Sequence, residues 1–226
     1  MNLSGALLTL VNQVRSRLND ETPSEQRWSD VDIVAAINTG EREVTRRTYD
    51  IEDSTTAEIC THTIVTDTAT YSISNKVLFI KRMECSYDGL PLEKRTRAWL
   101  DENRSSWKVD EGLPTDFIEG KTSFTVTPIP TSTYNGYFFY LVVVRLPLVD
   151  LSETNATPEV HAKYYDDIVT YACYELKLKR DADTFDPDGA WVLYRKFEAS
   201  VGPRPDGAVE KVIKEEPSGL RIQVRR

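Results

Sequence analysis

The sequence predicts an α+β protein: a bundle of about four helices, an inserted antiparallel β-rich domain and an extended C-terminal arm. Three patterns carry that expectation. Apolar residues recur with a helical period of about 3.6 toward both ends of the chain. They alternate with a period of two from about residue 62 to residue 146. From residue 203 onward the chain is too polar to form a core of its own. The expected division is an N-terminal helical hairpin over 1–58, a β-rich domain over 59–150, helices completing the bundle over 151–202, and an arm over 203–226.

The first helix runs from about Leu3 to Leu18, with Leu3, Leu7, Leu10, Val11, Val14 and Leu18 on one stripe. Arg15 and Arg17 flank that stripe near its end, where positive charge suits the helix dipole, and Asn19 to Pro23 breaks it. The second helix opens within RWSDVDIVAAIN, residues 27–38. Ser29 has the form of an N-cap, and Asp32 three residues later completes a shorter version of the capping box. Trp28 and Ile33 occupy the two positions of a hydrophobic staple. Trp28, Ser29, Asp32 and Ile33 are therefore read as residues that start and pack a helix. Ile33, Val34, Ile37, Val44 and Thr48 continue the stripe, and Glu41 and Glu43 are expected opposite it. Gly40 in mid-helix costs about 1 kcal/mol relative to alanine, which points to close packing against a neighbour.

In the middle of the chain, TATYSIS (68–74) alternates, with Tyr71 and Ile73 on one face. KVLFIKRMECSY (76–87) meets LPLEKRT (90–96) across Asp88-Gly89, a strong hairpin signal. A short helix is expected over Arg97 to Asn103. LPTDFIEGKTSFTVTPIP reads as strand, turn and strand, with the turn near Glu119-Gly120 and Pro128 and Pro130 ending the second strand. After the turn at Tyr134-Asn135-Gly136, YFFYLVVVRLP is apolar on both sides and is expected at the centre of a sheet.

The third helix is expected to begin at Thr157-Pro158-Glu159, with a capping threonine and proline at the first helical position. It would run to about Lys179, with Tyr164, Ile168, Ala172 and Leu176 in register. The fourth starts near Asp186-Pro187, carries Ala190, Leu193, Tyr194, Phe197 and Val201, and stops at Gly202-Pro203. In the arm, Leu220, Ile222 and Val224 alternate as a strand available for addition to a partner's sheet.

Composition narrows the function. The 36 acidic residues against 28 basic ones give a net charge of -8. That argues against a grip on nucleic-acid backbones, which draws on clustered Lys and Arg, but not against a protein that DNA merely passes. No apolar run approaches the roughly 20 residues needed to cross a bilayer, and the N-terminus lacks the features of a signal peptide. Cys60, Cys85 and Cys173 are widely spaced and form no CxxC pair, so reduced structural thiols are expected.

Chemical motifs are scarce. His62 and His161 are the two histidines, and neither has metal-ligand spacing; Cys60 with His62 is an isolated pair. EGKTS (119–123) lacks the glycine of a phosphate loop, since Thr115 stands at that position, and it lies between strands. Acidic neighbours such as Asp166-Asp167 and Glu215-Glu216 are expected to be solvated, pointing in different directions. Catalytic, cofactor-binding and metal residues are therefore not assigned, and the expected protein is not an enzyme.

Several segments in order carry a family likeness. They are RWSDVDIVAAINTGEREVTRRT (27–48), GLPTDFIEG (112–120), FTVTPIP (124–130), YLVVVRLP (140–147), TPEVHAKYYDDIVTYACYELKLK (157–179) and a helix ending in YRKFEASV (194–201). The first is similar to the "W-[ST]-D…LN.A.RE" helix of phage adaptor proteins. From about Leu3 to Val201 the chain resembles these head-to-tail connectors of tailed phages, which include tail tubular proteins of short-tailed phages. The resemblance implies a structural virion protein without a cofactor, forming a homo-oligomeric, usually dodecameric ring beneath the portal protein. A tail nozzle or tail tube protein, and tail fibres, would be further partners. Genomic DNA would pass through the ring without sequence-specific binding. The location would be the neck or tail of the virion, and the host cytoplasm during assembly, with no membrane. The arm would reach the portal through Leu220, Arg221, Ile222, Val224, Arg225 and Arg226. The competing readings are a tail-completion or neck protein that binds mainly the tail, and a tail-associated peptidoglycan hydrolase. The last would need two carboxylates facing one cleft.

Overall fold

The structure is a computed structural model that describes residues 2–180 and 184–215. In chain order its helices are α1 (Gly5–Arg17), α2 (Asp30–Thr48), α3 (Ala57–Cys60), α4 (Arg97–Asn103), α5 (Tyr165–Lys177), α6 (Pro187–Val201) and α7 (Gly207–Glu215). Its strands are β1 (Glu52–Asp53), β2 (Thr61–Thr63), β3 (Thr70–Ser72), β4 (Val77–Cys85), β5 (Glu93–Lys94), β6 (Glu111–Gly112), β7 (Asp116–Glu119), β8 (Ser123–Thr127), β9 (Ile129–Pro130) and β10 (Phe138–Arg145). The class is α+β, as the sequence predicts. Two compact units divide the chain: a helical one, up to Ile51 and again over Leu146–Pro205, and a β-rich one, over Glu52–Arg145 and from Asp206 onward.

The helical unit packs α1, α2, α5 and α6 around one core. Leu7, Leu10 and Val14 of α1, Ile33, Ile37 and Val44 of α2, Ile168 and Ala172 of α5, and Phe197 of α6 are fully buried in it. These are stripe residues read from the 3.6 periodicity. Gly40 meets the neighbour its position implied: a β-carbon there would lie 2.9 Å from the Ile168 carbonyl oxygen. Helices α2 and α5 approach this closely only because residue 40 has no side chain.

The polar face of α2 and the start of the third long helix both differ from expectation. Glu41 and Glu43, placed opposite the stripe, are buried, because α2 packs against α1, α5 and α6 and its second face is covered too. Burial pushes the Glu41 carboxyl up to about 7, although it accepts hydrogen bonds from the backbone N–H groups of Glu159 and Val160. Glu43 is paired with Arg46 at 2.9 Å and Arg47 at 3.7 Å. The third long helix, expected from Thr157, begins at Tyr165 after a short 3-10 turn at Ala162–Tyr164. Glu41 takes the Glu159 N–H at 2.7 Å and Asp50 takes the His161 N–H at 2.8 Å. With these donors committed to carboxylates from elsewhere, the segment stays outside the helix. His161 itself caps the 3-10 turn, its Nδ1 accepting the Lys163 N–H at 3.1 Å.

The β-rich unit is built around β10. Strand β4 runs antiparallel along one side of it, while β2 pairs with Phe138–Tyr140 and β1 with Val143–Val144. A second sheet has the order β3-β8-β7-β5, and β6 with β9 forms a short parallel pair. Strands β7 and β8 and the turn between them lie where the sequence places them. The centre of the first sheet is also as expected, but β10 is not buried on both faces: Phe138 and Tyr140 point outward, 37% and 43% exposed.

The Asp88-Gly89 turn exists, yet its second arm leaves early. Cys85 N–H bonds the Leu90 carbonyl and Leu92 N–H bonds the Met83 carbonyl. Beyond that the chain departs as β5 to pair in parallel with β7. Pro91 donates no N–H to extend the ladder, and Lys94 is drawn inward to Glu119 at 2.8 Å, both side chains being buried. A second buried pair, Arg145 with Asp53 at 2.6 Å, joins β10 to β1. Asp53 also accepts from the backbone N–H and hydroxyl groups of Thr55 and Thr56. Burial alone would raise its pKa; these hydrogen bonds and Arg145 outweigh it and hold the carboxyl well below the usual carboxylate range.

The region read as an arm contains helix α7, which the sequence reading lacked. Its signals were present: Asp206 Oδ1 accepts the N–H groups of Ala208 and Val209, both at 2.9 Å, as an N-cap does. Helix α7 packs on β4 and β7. Leu220, Arg221, Ile222, Val224, Arg225 and Arg226 lie outside the described residues.

Candidate functional site

The start of α2 is built from α1. Arg15, read from sequence as a dipole-compensating flank, is 6% exposed and acts as a tie. Its guanidinium donates to Asp20, to the Trp28 carbonyl at 3.2 Å and to Asp30 at 2.7 Å. Asp20 in turn accepts the Arg27 N–H at 2.6 Å. The planar fork of arginine suits this task because its five donors hold several acceptors at fixed angles. The end of one helix thereby fixes the entry of the next.

Ser29 Oγ accepts the Asp32 N–H at 3.2 Å, completing the cap. The Asp32 carboxylate accepts a hydrogen bond from the Ser29 hydroxyl at 2.9 Å and is stabilised by the Ser29 backbone N–H as well, as in a capping box. The carboxylate also pairs with Lys179 at 2.8 Å, and Lys179 followed by Ser29 holds its pKa down. Trp28 and Ile33 are both in the helical core, 5% and 0% exposed. The indole Nε1 is buried without a hydrogen-bond partner among the described residues, so Trp28 acts there as apolar bulk.

Residues with chemical potential are turned to structure. The Cys60 thiol donates to the Asp53 carbonyl at 3.5 Å, and burial pushes its pKa up to about 11. His62 packs edge-on against Phe124 at 5.1 Å, and burial lowers its pKa. Gly120 N–H bonds the Ser123 carbonyl at 2.7 Å, closing a hairpin and leaving that donor unavailable to a phosphate. Asp166 is exposed and pairs with Arg17, whereas its neighbour Asp167 is buried, contrary to the expectation of a solvated pair. Among the described residues no group of three or more His, Cys, Asp or Glu side chains is placed to hold a metal ion. None of their helices is long and apolar enough to cross a membrane.

What remains is surface. On the helical unit Val31 of α2 is 58% exposed, and α6 presents Trp191 at 53% and Val192 at 68%. On the β-rich unit, Tyr87 meets Tyr134 at 4.9 Å and Tyr137 at 5.1 Å, each edge to face. Phe138 and Tyr140 stack beside each other at 6.1 Å on the outward face of β10. The reading of YFFYLVVVRLP as buried on both faces hides Tyr137, Phe138 and Tyr140; the run of four aromatics at its start, with tyrosine at either end, is the signal available. Large apolar side chains left in water in groups mark interaction surfaces more than they mark reaction sites.

No curated protein matches the chain. A family model described as SU10 adaptor protein matches residues 6–210, through all four long helices and the β-rich unit's strands. The chain belongs to the SU10 adaptor protein family and is a phage adaptor protein.

Proposed function

We propose that this adaptor is a head-to-tail connector: a homo-oligomeric, dodecameric ring that joins the portal to the tail nozzle or tube and lets genomic DNA pass. The supporting observation is the surplus apolar surface on the helical unit, where Val31, Trp191 and Val192 stay more than half exposed over a closed core. Exposed apolar residues on two different helices suit a heterologous interface, in which one face of a subunit meets a different face of the next and the rotation closes a ring. The chain's net charge of -8 suits a lumen in which acidic residues keep DNA sliding.

Residues Leu220, Arg221, Ile222, Val224, Arg225 and Arg226 form the portal-binding part of the arm in this reading. Because α7 packs on the β-rich unit, the informative deletion begins at Pro217 and not at Gly207. Electron microscopy of the protein mixed with its portal tests the whole. A closed ring of adaptors seated on the portal, lost on deleting residues 217–226, is expected. Monomers that never join the portal, or a lumen lined chiefly by Lys and Arg, would sink it.

A further inference from the structure

Helix α7 is nine residues long, too short to be stable alone in water. It also leaves Val209 and Val212 about half exposed. Its apolar face is thus only partly covered, and the β-rich unit adds a specific device. Lys94 is 4% exposed, and its ammonium group has three N–H donors and no acceptor. One is directed to Glu119 Oε2 at 2.8 Å and a second to the Ile80 carbonyl at 3.3 Å. Glu119 Oε2 also accepts the Ile80 N–H at 3.0 Å, so the pair occupies both backbone groups of Ile80 in β4. The third donor reaches out of the sheet to the Ile213 carbonyl at 3.4 Å.

Ile213 lies in the last turn of α7, where carbonyl oxygens have no partner inside the helix and the helix dipole is negative. A buried ammonium ion is well matched to that end, by hydrogen bonding and by charge. At the opposite end Asp206 caps the first turn. The short helix is therefore closed at both ends, and the C-terminal closure comes from the β-rich unit.

We infer that the β-rich unit carries a built receptor for the chain's own C-terminal helix, with Lys94 as its recognition residue, and that this seat holds the backbone of that helix up to Glu215 on the β-rich unit. The receptor stands on its own geometry; only its consequence, positioning the arm for a partner, rests on the connector reading. Under that reading the arm is launched from the β-rich unit, and the Lys94–Glu119 pair is a positioning element for partner binding.

Hydrogen exchange followed by mass spectrometry on the full-length chain tests this without a partner. Amides of residues 210–215 should exchange at least tenfold more slowly than in a synthetic peptide of residues 206–226, and equally so across a hundredfold dilution. In the double variant Lys94→Met/Glu119→Gln, which removes the ammonium without stranding a buried charge, that protection should fall about tenfold while β7, β8 and β10 stay protected. Asp206→Ala and Ile213→Ser leave the ion pair untouched and should each reduce protection of α7 alone; unchanged protection in both would overturn the seat even if the double variant does not fold. Exchange of α7 at peptide rates in the unmodified chain would overturn the receptor. Protection that disappears on dilution would also overturn it, since the helix would then be held by a second copy. Full protection in the double variant would overturn the role of Lys94. Failure of the unmodified protein to join the portal, with α7 protected, would count against the connector reading alone.

Discussion

The helical and β-rich units use charged side chains differently. In the helical unit a continuous apolar core does the holding, and buried carboxylates occupy backbone N–H groups where the chain is not helical, as Glu41 does at Glu159. In the β-rich unit several strands are two or three residues long, and buried ion pairs tie them: Arg145–Asp53 joins β10 to β1, and Lys94–Glu119 joins β5 to β7. Short strands give few ladder bonds and little side-chain contact, so discrete charge pairs decide where they lie. The long helices are held along their length by their covered stripes, and the buried Arg15–Asp20 pair acts at the junction where α1 hands over to α2. The difference teaches that a buried charge reports local shortage of backbone partners, in either unit, more than it reports a reaction.

Replacing Arg145 with methionine should break the comparison most severely if it is wrong. It removes the cation from a buried carboxylate that keeps its Thr55 and Thr56 hydrogen bonds, and the expected loss is about 3 kcal/mol, confined to the β-rich unit. Hydrogen exchange in β1 and β10 measures it, and an effect under about 1 kcal/mol would mean that the ladder and not the ion pair holds these strands.

Glu41 tests the helical side of the contrast through pH. Its folded pKa of about 7 exceeds the ordinary carboxyl value of 4.5, so the native state binds the extra proton and is favoured at low pH. That contribution is fully present below about 4.5 and is lost as pH rises through about 7. The loss is on the order of 2–3 kcal/mol between those limits. Glu41→Gln keeps an acceptor for the Glu159 N–H without the charge. Denaturant titrations at pH 5 and pH 8 should show the unmodified chain losing that much relative to the variant; equal pH dependence would place the Glu41 charge in solvent.

Ser29→Ala is the gentlest of the three. It removes the hydroxyl that accepts the Asp32 N–H, and a loss of about 1 kcal/mol in the helical unit is expected. Circular dichroism melts would detect it. A change several times larger would show that Ser29 supports the Arg15 tie as well as its own helix.

The long helices were legible because their information is local and repeated. The apolar stripes of α1, α2, α5 and α6 and the Ser29 and Asp186 caps follow from residues near one another in sequence; a mid-helix Gly40 signals a close neighbour, but only the fold supplies Ile168. Capping at Asp206 is equally local, and Val209, Val212 and Ile213 have helical spacing, but three apolar residues in a polar segment do not by themselves specify a helix. The start of α5 was not legible: Thr157-Pro158-Glu159 is a sound helix-start signal, and it lost to carboxylates from α2 and from Asp50. Nor was the parallel pairing of β5 with β7, since its cause lies in a lysine meeting a glutamate 25 positions away.

The sequence by itself determined the class, the four long helices, the central strand and the likeness to phage adaptors, because periodicity and order survive without knowledge of contacts. Tertiary structure alone decided which charges are buried, where α5 starts, which sheet β5 joins and where the C-terminal helix rests. These outcomes depend on competition for hydrogen-bond donors and acceptors between segments far apart in the chain. A desolvated charge gains its partner only when the fold closes around both, and that pairing has no period to read.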